Sequence, residues 1–139
     1  MSTLRDAPCV SLSVAFKLHI STLVHTMRKI ERLMNEAISE GLNWKSGNTQ
    51  VVTDADNVST VYLHGNMIAR VGENYLQLFD GGWQSVTTKS RINAICTVHA
   101  VDGEGVFQKQ GSWFIRVWNN STKELNTEAF YSGFMLADA

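Results

Sequence analysis

The chain has little of what usually interrupts, staples or anchors a fold. Its one proline is Pro8, and its two cysteines, Cys9 and Cys96, have neither metal-ligand spacing nor a disulfide framework, so we predict reduced thiols. No apolar run reaches the roughly 18 residues of a membrane helix. No apolar signal-peptide core precedes Pro8. These absences predict a cytosolic protein that does not span a membrane.

Neither sign of charge is in excess. Twelve Lys and Arg oppose 13 Asp and Glu, for a formal net charge of −1. A general nucleic-acid binder is usually basic, and a protein that imitates DNA with carboxylates is strongly acidic, so both classes are disfavoured. With 139 residues, of which 44% are hydrophobic and 18% charged, the chain is typical of one folded domain over 1–139.

Signatures of catalysis and cofactor binding are also missing. The chain contains no Walker loop, no dinucleotide fingerprint and no H-E-x-x-H pattern. Its aspartates at 54, 56 and 80 stand in turn sequences, where aspartate is favoured for its own sake. Its histidines do not pair with a cysteine at useful spacing. We therefore predict a protein that is not an enzyme and has no cofactor and no metal site.

The N-terminal third carries a helical pattern. Apolar residues from Phe16 to Ala37 recur at alternating steps of four and three, which predicts a helix over 13–40 ended by Gly41, after a flexible tail over 1–12. Its stripe would either cover a sheet or pair with a second chain. About 28 helical residues span roughly 42 Å, whereas a five-stranded sheet is about 20–25 Å across. Because the sheet cannot cover the whole stripe, we expect a second chain to cover the rest, in a homodimer or a higher even oligomer. The residues predicted for this interface are Leu23, Met27, Ile30 and Met34.

The rest of the chain predicts a β-rich module over 48–134. Alternating apolar residues separated by turn residues indicate consecutive short strands between 44 and 86. A second helix over about 88–101 follows, with Thr88 as its N-cap. A hairpin around Gln110-Gly111 and a last strand over 127–131 complete the pattern. The predicted fold class is α+β: an antiparallel meander with a long N-terminal helix and a shorter second helix packed on one face.

The start of the second helix is a candidate anion site. The first turn of a helix exposes unpaired N–H groups and favours anions, and here hydroxyls and two cations stand in place of acidic side chains. His64, at a strand end beside Gly65, is added as a ligand candidate, although a hydrogen bond to the backbone of the neighbouring turn is the favoured explanation for it. The competing interpretation is a capped helix with solvated cations. The candidates are Thr87, Thr88, Lys89, Ser90, Arg91 and His64.

Aromatic residues provide the candidates for partner binding. In the strand 112–118, Trp113 lies on one face, whereas Phe114, Arg116 and Trp118 share the other. A strand that is apolar on both faces is either central in the core or exposes a binding patch. An arginine between two aromatics is typical of a protein hot spot or of a platform for nucleic-acid bases. Trp83, after two glycines, joins these candidates.

Several segments together resemble a module, without assigned activity, of small bacteriophage accessory proteins. The strings that carry the resemblance are LHGNMIA at 63–69 and LFDGGWQSVTTKSRINA at 78–94, with shorter matches at 48–49, 106–109, 113–114 and 130–133. The long N-terminal helix lies outside it. The resemblance implies a viral origin and a life in the host bacterial cytoplasm.

The function predicted from these observations is binding. We expect a phage-encoded, non-enzymatic effector that binds and inhibits a host defence or regulatory protein complex, as anti-CRISPR and other anti-defence inhibitors do. One alternative is an oligomer that sequesters a small phosphorylated or nucleotide signal at the second helix. Another is a nucleic-acid-binding phage protein that uses the aromatic strand.

Overall fold

The computed structural model describes residues 27–137. The described elements are two helices and nine strands in the order α1 (Lys29–Glu40), β1 (Trp44–Ser46), β2 (Thr49–Thr53), β3 (Ser59–Leu63), β4 (Asn66–Val71), β5 (Tyr75–Leu78), α2 (Val86–His99), β6 (Gly105–Lys109), β7 (Ser112–Asn119), β8 (Glu124–Ala129) and β9 (Phe134–Ala137). The predicted α+β class with antiparallel pairing is confirmed.

Two sheets form where one meander was predicted. Six strands pair in the order β1-β2-β3-β4-β5-β9, and β6-β7-β8 form a separate sheet. The consecutive strands are joined by tight turns. Asp54 accepts hydrogen bonds from the backbone N–H of Asp56 and Val58 within one turn. His64 and Gly65 both have positive φ, at 54° and 80°, as a two-residue hairpin loop between β3 and β4 requires.

The helices pack through their apolar sides against the larger sheet and against each other. α1 contacts β1, β2 and α2, and α2 contacts β4 in the larger sheet and β6 in the smaller one. Both sheets contribute to one hydrophobic core, in which Met34, Leu76, Ile92 and Ile115 have no solvent exposure. The smaller sheet is fastened to α2 by Asn93, whose side chain donates to the carbonyl of Val106 and accepts from its N–H.

The prediction of one unbroken helix over 13–40 is wrong. Arg28 has an extended backbone, with φ −64° and ψ 149°, and serves as the N-cap of a 12-residue helix. Such a helix is about 18 Å long, so the described helix does not outrun the sheet. The earlier part of the predicted helix, and the tail over 1–12, lie outside the described residues. The end was predicted correctly, because Gly41 adopts φ 68° and closes the helix through its N–H.

Other predicted elements are shifted. α2 begins at Val86, not near Thr88, and its N-cap is Ser85, whose side chain accepts a hydrogen bond from the N–H of Thr88. Residues 83–85, predicted as a short strand, form the turn that leads into this helix. The last strand is not 127–131. β8 ends at Ala129, and a further strand, β9, follows the predicted last strand and pairs with β5.

Candidate partner-binding surfaces

A short loop between β5 and α2 presents Trp83 to solvent. Asp80 organises its first half. One carboxylate oxygen accepts from the N–H of Gly82 at 2.8 Å, and the Asp80 carbonyl accepts from the N–H of Trp83 at 3.1 Å. Gly81 and Gly82 have φ of 68° and 84°, conformations that L side chains rarely adopt. The glycines therefore allow this path, and Asp80 fixes it.

The second half of the loop is held by the start of α2. The carbonyl of Trp83 accepts from the N–H of Ser85 at 3.1 Å and from the hydroxyl of Thr88 at 3.3 Å. The backbone of Trp83 is thus bonded on both sides, while its residue is 74% exposed and the nearby Val86 is 71% exposed. Trp83 is therefore exposed to solvent on a backbone held in place by hydrogen bonds. Such exposure contributes nothing to the hydrophobic core.

A pocket of about 180 Å³ lies beside this loop. Exposed His64 contributes from the β3–β4 hairpin, and Asp80 and Trp83 contribute from the loop. Apolar lining comes from Leu63 and Ile68. We call Trp83, Val86, His64 and this pocket the Trp83 surface.

At the predicted anion site at the start of α2, the cation Arg91 already has a partner within the chain. Arg91 is 4% exposed and donates to Glu31 of α1 at 2.8 Å and to the hydroxyl of Thr49 at 3.1 Å. Ser90 donates to the same carboxylate oxygen of Glu31 at 2.6 Å. A carboxylate from α1 therefore takes the place of the expected ligand.

The remaining residues of that prediction do not restore the site. Thr88 is 4% exposed and its hydroxyl bonds within the loop. Lys89 approaches Gln108 of β6 at 3.4 Å. Thr87 is half-buried in the first turn. Only His64 of the candidates lies on an open surface, and it belongs to the Trp83 surface instead. The nucleotide-sequestering alternative rested on Thr88, Lys89 and Arg91, and of these Thr88 and Arg91 are buried.

The smaller sheet has one buried and one accessible face. Trp113 and Ile115 of β7 lie in the core, with 4% and 0% exposure. On the other face the rings of Phe107 and Phe114 stack with centroids 5.8 Å apart, and the Arg116 guanidinium lies 4.5 Å from the Phe107 centroid. We call this the outer face; its members on the three strands are Phe107, Lys109, Phe114, Arg116, Trp118, Leu125 and Thr127.

In the strand 112–118, one face therefore belongs to the core and the other face is accessible. Phe114 and Trp118 are half-buried, and Arg116 is exposed. The sequence pattern identified these three residues but missed Phe107, because only strand pairing across the hairpin places it opposite Phe114. It also missed Glu31, which no local pattern connects with a helix about 60 residues later in the chain.

Of the residues in the predicted oligomer interface, Met34 is fully buried within the single chain. Met27 packs against the core and is partly buried, as is Ile30. Leu23 lies outside the described residues. At Met34, therefore, the heptad spacing corresponds to packing inside the domain.

Among residues 27–137, no group of three or more His, Cys, Asp and Glu side chains is arranged to hold a metal ion. None of the helices between these bounds is long and apolar enough to cross a membrane.

A family model described as Kyanoviridae Gp96 protein matches residues 27–137. The chain belongs to this bacteriophage protein family. No curated protein and no solved structure matches it. The predicted phage origin is confirmed, and the protein is phage-encoded.

The Gp96 match also corrects the extent assigned to the phage module. The resemblance was expected to begin near residue 48, with the N-terminal helix outside it. The Gp96 match begins at Met27 and includes α1 and the last strand. Because Glu31 of α1 binds Arg91 of α2, the helix is a structural part of the module.

Proposed function

We propose that this phage protein acts by binding a host protein through the Trp83 surface, without catalysis, and so inhibits a defence or regulatory complex in the host bacterial cytoplasm. The observation that carries the proposal is the rigid presentation of Trp83, whose residue is 74% exposed on a backbone that is hydrogen-bonded on both sides.

Exposure of a tryptophan in a fixed loop favours binding for two reasons. Tryptophan is among the residues that contribute most at protein interfaces, where loss of one such side chain costs about 2 kcal/mol or more. A loop already ordered before binding loses less conformational entropy when the partner arrives. Val86, three positions after Trp83, is also exposed, and the pocket beside the loop offers a recess for a partner side chain.

The polar groups around the recess suit recognition of a protein. Asp80 and His64 line it together with the amide of Asn66 and the hydroxyl of Ser85, so both acceptors and donors surround an apolar centre. Protein interfaces have this anatomy of an aromatic core with a polar rim. His64 stands in a left-handed conformation that most residues avoid, at φ 54°, which places its side chain at the rim.

The proposal is tested by site-specific cross-linking in infected or lysed host cells. A photo-reactive p-benzoylphenylalanine replaces Val86 in one variant and Leu42 in a matched control. Leu42 is also exposed, at 52%, but it lies at the other end of the sheet from the Trp83 surface. Its neighbour Asn43 accepts a hydrogen bond from the N–H of Thr53, at one end of β2. His64 follows the residue that pairs with the opposite end of β2. We expect a discrete host-protein adduct from position 86 and none from position 42.

The Trp83→Ala variant then tests the energetics. The identified partner should bind it about 30-fold more weakly or worse, as expected for a hot-spot residue, while circular dichroism shows an unchanged fold. Equal adducts from positions 86 and 42, or full affinity in Trp83→Ala, would remove the Trp83 surface as the binding site.

A further inference from the structure

We infer that the outer face of the smaller sheet is a second binding site, and that its ligand is single-stranded nucleic acid. This site is separate from the Trp83 surface, on another sheet, and does not depend on the proposed host-protein binding. The observation is a stacked pair of phenylalanines, one of which lies under an exposed arginine, on a face where the charged residues of the three strands are all cationic.

The aromatic groups suit the faces of bases. Phe107 and Phe114 stack on neighbouring strands, and Trp118 follows two positions beyond Arg116 on β7. Aromatic side chains on a sheet bind successive bases by stacking, which every base permits. The guanidinium of Arg116 already lies over Phe107 on one of its planes. Because Arg116 is exposed, its other plane is open to a base.

The spacing along β7 selects a single strand. Residues two apart on one face of a strand are about 6.8 Å apart. Bases in one strand of a duplex rise by about 3.4 Å. The spacing of the side chains at Phe114, Arg116 and Trp118 is therefore about twice the rise between stacked bases. It fits bases that have been separated from one another, which a single strand allows and a duplex does not.

The charges are sorted between the two faces of the sheet. On the outer face the charged residues of the three strands are Lys109 and Arg116, both exposed and both cationic. The carboxylates of β8 belong to the other face, because Glu128 is paired with buried Ile115 and Glu124 with Asn119. A net charge of −1 for the whole chain thus conceals a face that attracts phosphates.

The exposed edge of β8 is a weaker candidate for recognition. All six of its residues are exposed, which would invite a strand from a partner. Its two glutamates, however, are exposed and lie on the sheet face that carries Ile115. Charged side chains on an edge strand are a known obstacle to strand addition. The outer face, and not the edge, therefore carries the inference.

The test is fluorescence anisotropy of the full chain with labelled single-stranded oligonucleotides. Oligo-dT and oligo-U of about 12 nucleotides, within the range that one sheet surface binds, are compared with a duplex of equal length. We expect binding in the micromolar range at low salt, weaker binding to the duplex, and a slope of log K against log salt of about −1.4, for two phosphates.

Conservative variants separate this face from general stickiness. Phe114→Leu keeps an apolar side chain but loses the stacking ring, and Arg116→Gln removes the charge. Each should weaken binding about fivefold or more, the lower end for one base–aromatic stack. Glu128→Gln, on the opposite face of the same sheet, and Trp83→Ala, on the other surface, should bind as the unmodified chain does. Thermal melts identify any variant that fails to fold, and Trp118→Leu then replaces it.

Three outcomes would overturn the inference. The first is no binding of either oligonucleotide up to about 100 µM at low salt, the weak end of non-specific association. The second is binding that folded Phe114→Leu and Arg116→Gln variants retain in full. The third is a host protein whose capture depends on Phe114 and Arg116 while oligonucleotides do not bind, which would make the outer face a protein interface. Loss of the host-protein adduct at position 86 would leave this inference intact.

Discussion

Replacing Glu31 by alanine should lower the free energy of unfolding by about 3–5 kcal/mol, the range for removing one partner of a buried ion pair. The pair that it forms with Arg91 is short, at 2.8 Å, and both side chains are 5% exposed. Removing the carboxylate leaves a guanidinium that is buried without its counter-charge, and Ser90 loses its acceptor.

The size of the expected loss in unfolding free energy follows from the burial of the Glu31–Arg91 pair and not from the number of its hydrogen bonds. A domain has a total stability of only about 5–15 kcal/mol, so Glu31→Ala should bring the fold close to its limit. The exposed pair of Arg32 and Glu36 in the same helix is the matched control. Its atoms are 3.5 Å apart, with side chains 35% and 55% exposed. Glu36→Ala should change the stability by no more than about 0.5 kcal/mol.

The assay is urea unfolding followed by circular dichroism, applied as a double-mutant cycle. The double variant Glu31→Leu with Arg91→Met replaces both charges by apolar groups of similar size, and such replacements are often neutral. Compared with the single changes Glu31→Leu and Arg91→Met, we expect the double variant to recover most of the stability that either one removes. If Glu31→Ala cost less than about 1 kcal/mol, or if the two changes were simply additive, the pair would not be the buried tie between α1 and α2 that we describe.

Two further predictions concern α2. Ser85→Ala should destabilise the fold by about 1 kcal/mol, because it removes the cap that accepts from the N–H of Thr88; Thr87→Ala should have a much smaller effect, and equal effects in urea unfolding would contradict the assigned cap. Asn93→Ala should increase amide hydrogen exchange in the smaller sheet before it affects the larger one, because it breaks both hydrogen bonds to the backbone of Val106; uniform exchange would show that the sheets open as one unit.

Local chemistry was readable from the sequence. Gly41 ended its helix, Asp54 made its turn, and Gln110-Gly111 made its hairpin with φ of 52° and 83°. These features depend on residues within a few positions of one another, so the preference of each residue for a backbone conformation was sufficient. The α+β class followed from the same signals.

What failed depended on distant residues. The heptad spacing predicted a helix through Arg28, yet this residue is extended. The strand that begins at Phe134 was not predicted, because it forms by pairing with β5, more than 50 residues earlier in the chain. Arg91 was a plausible anion ligand until Glu31 was known to lie beside it. Sequence spacing does not encode such pairings, which arise only when the chain folds.

Helix α2 positions both proposed surfaces. It follows the loop that carries Trp83, and it also holds the smaller sheet, whose outer face is the second surface. The Trp83 loop ends in the cap of α2, and the N–H of Thr88 ties that cap to the helix. Two turns later, Asn93 holds β6 and with it the outer face. Arg91, between these points, anchors α2 to α1 and β2. The buried ion pair fixes the central part of α2. A rearrangement of the Trp83 loop therefore cannot shift α2, and so it cannot move the outer face. Binding at the two surfaces should therefore be energetically independent, even though a single helix positions both.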